Sequence, residues 1–310
     1  MAIFNVINEY ILSYVLRFLM GIFNNNFAVA IFMFTLVINL CMIPLTIKSQ
    51  KSSMQQTRIK PKMDAIKEKY GDDKQKYNAA IQELYTKEKV SMSGGCLPMI
   101  FRLVFLMSIY YLVLGPITYL TTVDASTVKE FATAVGITVE NNLRLDLDVI
   151  AKISEVGFVA PAGFENHYNE ISAAVQSIDF NFFGISLTEI PHFSLNLADA
   201  KLNWIIPLLS FAGAMFSSLL SIRTQKKMNP GAPNMTGMML GMPIISLIIA
   251  FGAPCGLGFY WACSSFISGI IQEGVQRFYG PHTMIARERA KNIIKCYEQE
   301  EKLLSSYKED

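Results

Sequence analysis

Residues 96–114 read CLPMIFRLVFLMSIYYLVL. One permanently charged side chain, Arg102, stands inside this apolar run. A guanidinium stays protonated at any ordinary pH. Holding it at membrane depth costs roughly 2.5–3.5 kcal/mol on insertion scales. Such a charge implies a partner or a use, so the central question for this chain is what Arg102 faces.

The surrounding composition points to a membrane. Of 310 residues, 52% are hydrophobic and 17% charged, which favours the membrane class over an ordinary soluble domain. Cys41, Cys96, Cys255, Cys263 and Cys296 form no CxxC pair, so they read as small buried hydrophobes. His167, His192 and His282 are scattered without metal-ligand spacing. There is no Walker loop, no GxSxG and no paired catalytic carboxylates, so neither an enzyme nor a cofactor is expected.

Four further apolar runs accompany the first, each near the ~20 residues needed to cross a bilayer. The expectation is an all-α polytopic membrane protein with five crossings at 27–47, 96–115, 203–222, 238–254 and 255–277. The last two come from one long run, broken at GAPCGLG (252–258) by a tight turn. Charge orients them. The stretch between the first two crossings carries eleven Lys/Arg and six Asp/Glu, whereas residues 116–202 carry four Lys/Arg and eleven acids. Arg223, Lys226 and Lys227 follow the third crossing, with no acid nearby. Basic loops stay cytoplasmic, which predicts the N-terminus outside and the C-terminus inside the bacterial plasma membrane.

The flanking segments fill in the plan. Residues 1–26 hold a helix with Ile3, Phe4, Ile7, Ile11, Val15 and Phe18 on one face, which suits the membrane interface; a sixth crossing is the alternative. Asn24–Asn26 offers no small-residue cleavage site, and the first cysteine, Cys41, lies mid-span, so no lipid anchor is expected there. Residues 48–95 form a cytoplasmic helical hairpin. Met63, Ile66 and Tyr70 recur at helical spacing, as do Tyr77, Ile81 and Leu84. Gly71 with Asp72 and Asp73 supplies a stop and a fresh N-cap, and Pro61 marks a helix start or kink. These apolar stripes read either as a contact surface for clients or lipid head groups, or as a solvated connector. Interleaved acids argue against nucleic-acid binding.

In combination, several stretches resemble the YidC/Oxa membrane protein insertases. They are TLVINLCMIPLTIKSQKS (35–52), residues 63–90, GGCLPMIF (94–101) and GMPIISLIIAFGAPCGLGFYWACSS (241–265). The resemblance covers most of 27–115 and 180–278. It implies five helices around a hydrophilic groove, open to the cytoplasm and to lipid and closed at the outer side. It implies nascent membrane proteins and the lipid bilayer as partners. It admits work alone or beside a Sec channel. Ribosome contact belongs to relatives with long, strongly basic tails; here the tail 278–310 has six basic and six acidic residues after Phe278.

The chain departs from the family pattern at the key charge. Alignment on Pro44-Leu45 puts Asn39 where the family carries its first-span Arg. Alignment on Cys96-Leu97-Pro98 puts Arg102 where many relatives carry Gln. Asn39 lies five residues before Pro44 and Arg102 four after Pro98, so the two have similar expected depth, about 9 Å past Cys96 at ~1.5 Å per residue. The reading is that the groove charge has moved to Arg102, with Asn39 as a neutral hydrogen-bonding neighbour. The alternative is that Arg102 snorkels to the interface.

Ser210, Ser217, Ser218, Ser264, Ser265 and Gln272 are further candidate groove-lining residues, although serines in such helices often bond their own backbone. Tyr260 and Trp261 open the last crossing as outer-end aromatics. Residues 118–178 look like an insertion of unassigned fold, with alternation at Leu143–Leu147 and a helical stretch at Asn169–Ile178. The competing function is a small-solute carrier or channel, which predicts inverted internal repeats; none is found. A scaffold, the third reading, predicts that Arg102 tolerates neutral replacement.

Overall fold

The computed structural model describes residues 12–71, 73–88, 90, 97–140, 142–194, 201–228 and 236–280, with scattered tail positions between 283 and 301. The chain divides into two compact units: Met1–Cys41, Met99–Ile222 and Asn234–Gly269 form one, and Met42–Pro98, Arg223–Pro233 and Ile270–Asp310 the other. Apart from one hairpin of two-residue strands, the described regular structure is helical.

The first unit begins with α1 (Ser13–Ile22) and α2 (Phe27–Cys41). Three asparagines join them. Asn24 and Asn25 take positive φ of 53° and 56°, a conformation asparagine tolerates better than most residues. Asn26 then caps α2, its Oδ1 accepting from Val29 N at 3.0 Å. α1 buries Leu12, Leu16 and Met20, while Val15 and Phe18 point outward. The face singled out in the sequence is therefore the outer one where it is described, and Ile3, Phe4, Ile7 and Ile11 lie outside the described residues.

α2 stops at Cys41 and a new helix, α3 (Ile43–Tyr70), begins two residues later. The first apolar run was expected to continue to residue 47. Pro44 explains the earlier break: it has no N–H for the Leu40 carbonyl, and its ring crowds that carbonyl. Proline is well placed in the first turn of the next helix, where it sits.

In the second unit, α3 and α4 (Lys74–Lys87) form the hairpin. Asp73 caps α4 by accepting from Gln75 N and Lys76 N, each at 3.1 Å. Tyr85 Oη lies 3.8 Å from Met63 Sδ, and Lys62 pairs with Glu88, so the helices run antiparallel. α3 continues through Pro61 without a break.

The bundle core of the first unit draws on α1, α2, α5 (Leu97–Leu114), α10 (Ile205–Met228) and α12 (Cys255–Tyr279), and α11 (Thr236–Phe251) precedes α12. Phe27, Ile31, Phe34, Ile109, Leu112 and Ile206 are fully buried there. The start of α12 is fastened by the segment after the short hairpin of β1 (Asn181–Phe182) and β2 (Ile185–Ser186). Cys255 N donates to Glu189 O at 2.8 Å, and Gly256 N to Leu187 O at 2.7 Å. These bonds satisfy amides that a helix start otherwise leaves orphaned. A Cβ at Gly256 would lie 3.1 Å from Val113 Cγ1, and one at Gly258 2.9 Å from Ile206 Cγ2. Glycine lets these elements approach closely.

The inserted stretch folds as a small helical module. α6 (Pro116–Leu120), α7 (Ala125–Ala134), α8 (Leu145–Ile153) and α9 (Glu165–Gln176) share a second core of Val128, Phe131, Leu147, Val149, Ile150 and Ile171. The alternating Leu143–Leu147 run belongs to the start of α8 rather than to a strand. Asn142 Oδ1 accepts from Arg144 N at 2.9 Å, and Asp146 and Asp148 occupy the first helical turn, where acids are favoured.

Candidate functional site

The carbonyl ladder of α2 takes up hydrogen bonds from the polar side chains of that helix. Thr35 Oγ1 donates to Ile31 O at 2.6 Å, and Asn39 Nδ2 donates to Thr35 O at 2.8 Å. Both bonds reach back four residues, the local arrangement that lets polar side chains stay in an apolar helix. Thr35 is buried and Asn39 half-buried. Asn39 Oδ1 accepts no hydrogen bond among the described residues, which leaves an acceptor beside the core.

Arg102 lies on α5, and its side chain falls outside the described residues. The helical register of position 102 is nonetheless informative. Positions three, four and seven residues on are Phe105, Leu106 and Ile109. Ile109 is fully buried, and Phe105 and Leu106 pack on the bundle core. The neighbours Phe101 and Leu103 are 44% and 57% exposed. Residues three, four and seven apart share a helical face, so position 102 is in register with the packed face of α5.

α10 and α12 supply the remaining polar positions. Ser210 is buried, and Ser217, Ser218, Ser264 and Ser265 are half-buried. These helices meet closely: a Cβ at Gly213 would lie 3.1 Å from Ala262 O, and the Phe216 and Phe266 rings pack at 5.7 Å. Gln272 is half-buried on the stretch of α12 that belongs to the second unit. In that unit Gln276 accepts a hydrogen bond from Thr224 Oγ1, and its Nε2 is buried without a partner among the described residues. Sequence reasoning missed Ser268, Gln276 and Thr224. Ser265, Ser268, Gln272 and Gln276 follow one another at three- and four-residue steps, so a search for a polar stripe of helical period would have found two of them.

The outer-end aromatics are placed differently from each other. Tyr260 is buried in the core, and Trp261 is half-buried beside a cleft. In the hairpin, Ile81 and Leu84 are buried, and Met63, Ile66, Tyr70 and Tyr77 half-buried. Ile81 and Leu84 thus resemble the seam of a helix pair more than a free contact surface. Among the described residues, no group of His, Cys, Asp and Glu is arranged to hold a metal ion.

One helix alone among the described residues, Leu202–Thr224, is long and apolar enough to cross a membrane; Phe27–Cys41 and Ile43–Ser52 reach that length together. The family model described as 60Kd inner membrane protein matches residues 18–281. The chain belongs to this family. It is thus an all-helical membrane protein of the 60Kd inner membrane protein family. Similar curated proteins carry the name membrane protein insertase YidC. That of Bradyrhizobium diazoefficiens is 27% identical over 83% of this chain and 34% of its own length. That of Rickettsia conorii is 29% identical over 86% and 38%, respectively. That of Pseudoalteromonas atlantica is 42% identical over 35% of this chain and 20% of its own length. The chain therefore spans about a third of the length of the first two relatives.

Proposed function

We propose that this member of the 60Kd inner membrane protein family is a membrane protein insertase. It works in a bacterial membrane, with five crossings, an outer N-terminus and a cytoplasmic C-terminus. Polar tails of client proteins enter a hydrophilic groove, and their apolar segments pass into lipid. No chemical step and no cofactor is required, because the polar groups need only replace water around a partly inserted tail.

The observation that carries the reading is that polar positions 39 and 102 each fall beside packed residues of their own helix. Asn39 offers a half-buried acceptor on α2. Position 102 is in register with the packed face of α5 rather than its exposed flanks. A cation on a face shielded from water attracts an acidic tail more strongly than the same charge in water. Ser210, Ser217, Ser218, Ser264 and Ser265 extend the polar lining, and the hairpin is cytoplasmic. The names of the relatives point the same way, and a Sec channel or a ribosome would act as an additional partner.

The test places a photocrosslinking residue at Asn39 or Arg102 and stalls a nascent membrane protein during synthesis. Client adducts are the expected result. Arg102→Ala should cut insertion of clients with acidic tails several-fold, and Asn39→Arg with Arg102→Gln should restore it. Full insertion by Arg102→Ala at normal protein level would mean that the arginine snorkels. Solute flux without adducts would point to a carrier.

A further inference from the structure

Arg144 belongs to the inserted module, yet it reaches the bundle. Its Nη2 donates to Gly252 O at 3.1 Å, in the turn between α11 and α12. It stands at a cleft of about 370 Å3, lined by Leu106, Met107 and Tyr110 of α5, Ile249 of α11, and Leu257 and Trp261 of α12. That volume is within the ~300–1,000 Å3 range of small-ligand clefts. Among the described residues, Arg144 is the sole Lys, Arg, Asp or Glu in the lining. No carboxylate pairs with its guanidinium among the described residues. This is notable because residues 116–202 hold eleven acids against four basic residues. A guanidinium has five N–H donors, and the bond to Gly252 uses one of them.

We propose that this cleft binds an anionic phospholipid, its phosphate on Arg144 and an acyl chain along the apolar lining. Three features select that occupant. The lining is apolar along helices of a membrane protein, which suits a hydrocarbon chain. The sole charge among the described lining residues is a planar cation, which suits a phosphate through paired N–H bonds. Tyr110 and Trp261 are the amphipathic residue types that prefer the headgroup boundary. Such a site needs only that the chain is a membrane protein.

The test uses the full chain, purified in mild detergent and equilibrated with equimolar phosphatidylglycerol and phosphatidylcholine. Bound lipid is counted by native mass spectrometry. Wild type should retain phosphatidylglycerol in preference by about fivefold, the worth of one basic residue at an anionic headgroup. Arg144→Gln, which can still donate to Gly252 O, should lose the preference but keep lipid. Leu106→Trp, which fills the cleft, should lose lipid of both kinds; Met107→Trp serves if that variant fails to fold. An unchanged lipid ratio in Arg144→Gln would overturn the proposal, as would full retention in the filled variants. Inorganic phosphate that binds Arg144 as well as the lipid does would show a free-anion site instead. Crosslinks from position 144 to acidic client tails, with no lipid retained, would show a client contact.

Discussion

Asp146 is 4% exposed, and its carboxylate ties α8 to the start of α6. Oδ2 accepts from Thr118 N at 2.7 Å and Oδ1 from Thr118 Oγ1 at 3.1 Å. Burial pushes its pKa up to about 6, and the hydrogen bonds from Thr118 only partly oppose this. The folded module thus holds the proton more tightly than the unfolded chain, whose value is near 3.8. The resulting stability is fully present below about 3.8 and is lost as pH rises through about 6, a swing of roughly 3 kcal/mol at most. The protection of amides across residues 118–178, each exchange rate taken relative to the intrinsic rate at that pH, should therefore be greater at pH 5 than at pH 8. Asp146→Asn should flatten that difference, because an amide can accept from Thr118 N while donating to Thr118 Oγ1. The His167–Glu130 contact at 3.4 Å is untouched by this change, so comparing variant with wild type isolates Asp146. An equal pH dependence in the variant would refute the assignment.

At the scale of elements, close approach matters more than apolar area. Gly258→Ala drives a methyl toward Ile206 Cγ2 and should cost about 1–3 kcal/mol by overpacking. Thermal unfolding in detergent reads this as a lowered midpoint. Ile206→Val keeps the offending methyl and should not relieve it. Ile206→Ala removes that methyl and should recover part of the loss, a coupling expected of residues in contact. Independent, additive losses would show that the two do not touch. Element boundaries were unevenly legible in the sequence. Asp73 was readable as a cap because an acid after a glycine stop has one strong use. The break at Met42 was missed because hydropathy runs smoothly across it and only the proline geometry interrupts the helix. The inserted module escaped assignment for another reason. Its helices are short, and Phe131, Phe158 and Tyr168 make a core by meeting from three separate stretches. Such long-range clustering leaves no periodic trace.

For the whole molecule, the orientation read from charge has a direct check. A version with Cys296 as its sole thiol, and another with Val156→Cys as its sole thiol, can be probed with a membrane-impermeant maleimide. Val156 is fully exposed on the module, and Cys296 is exposed in the tail. Intact cells should label the Val156→Cys version alone, and permeabilised cells both. Labelling of Cys296 in intact cells would reverse the proposed orientation. The family was legible because its motifs lie where helices begin, end or touch, and those positions constrain residue type. The candidate site was legible only in outline. Serines and amides that bond their own helix look, in sequence, like those that line a hollow. Thr35 shows the difficulty: it is fully buried with its hydroxyl satisfied by Ile31 O.

Asp179 O accepts from Phe27 N, Asp179 N donates to Asn25 O, and Leu187 and Glu189 hold the first amides of α12. Eleven residues, 179–189, thus stitch together two helix origins that lie more than two hundred positions apart in the chain. The module before them and this seam are under different demands. A cut or a foreign graft near Gly157–Gly163 spares every one of these main-chain bonds, whereas a deletion reaching Asp179 unfastens both helices at once. Chain length outside the bundle is therefore free to vary up to a sharp limit, and that limit is set by peptide amides rather than by side-chain identity.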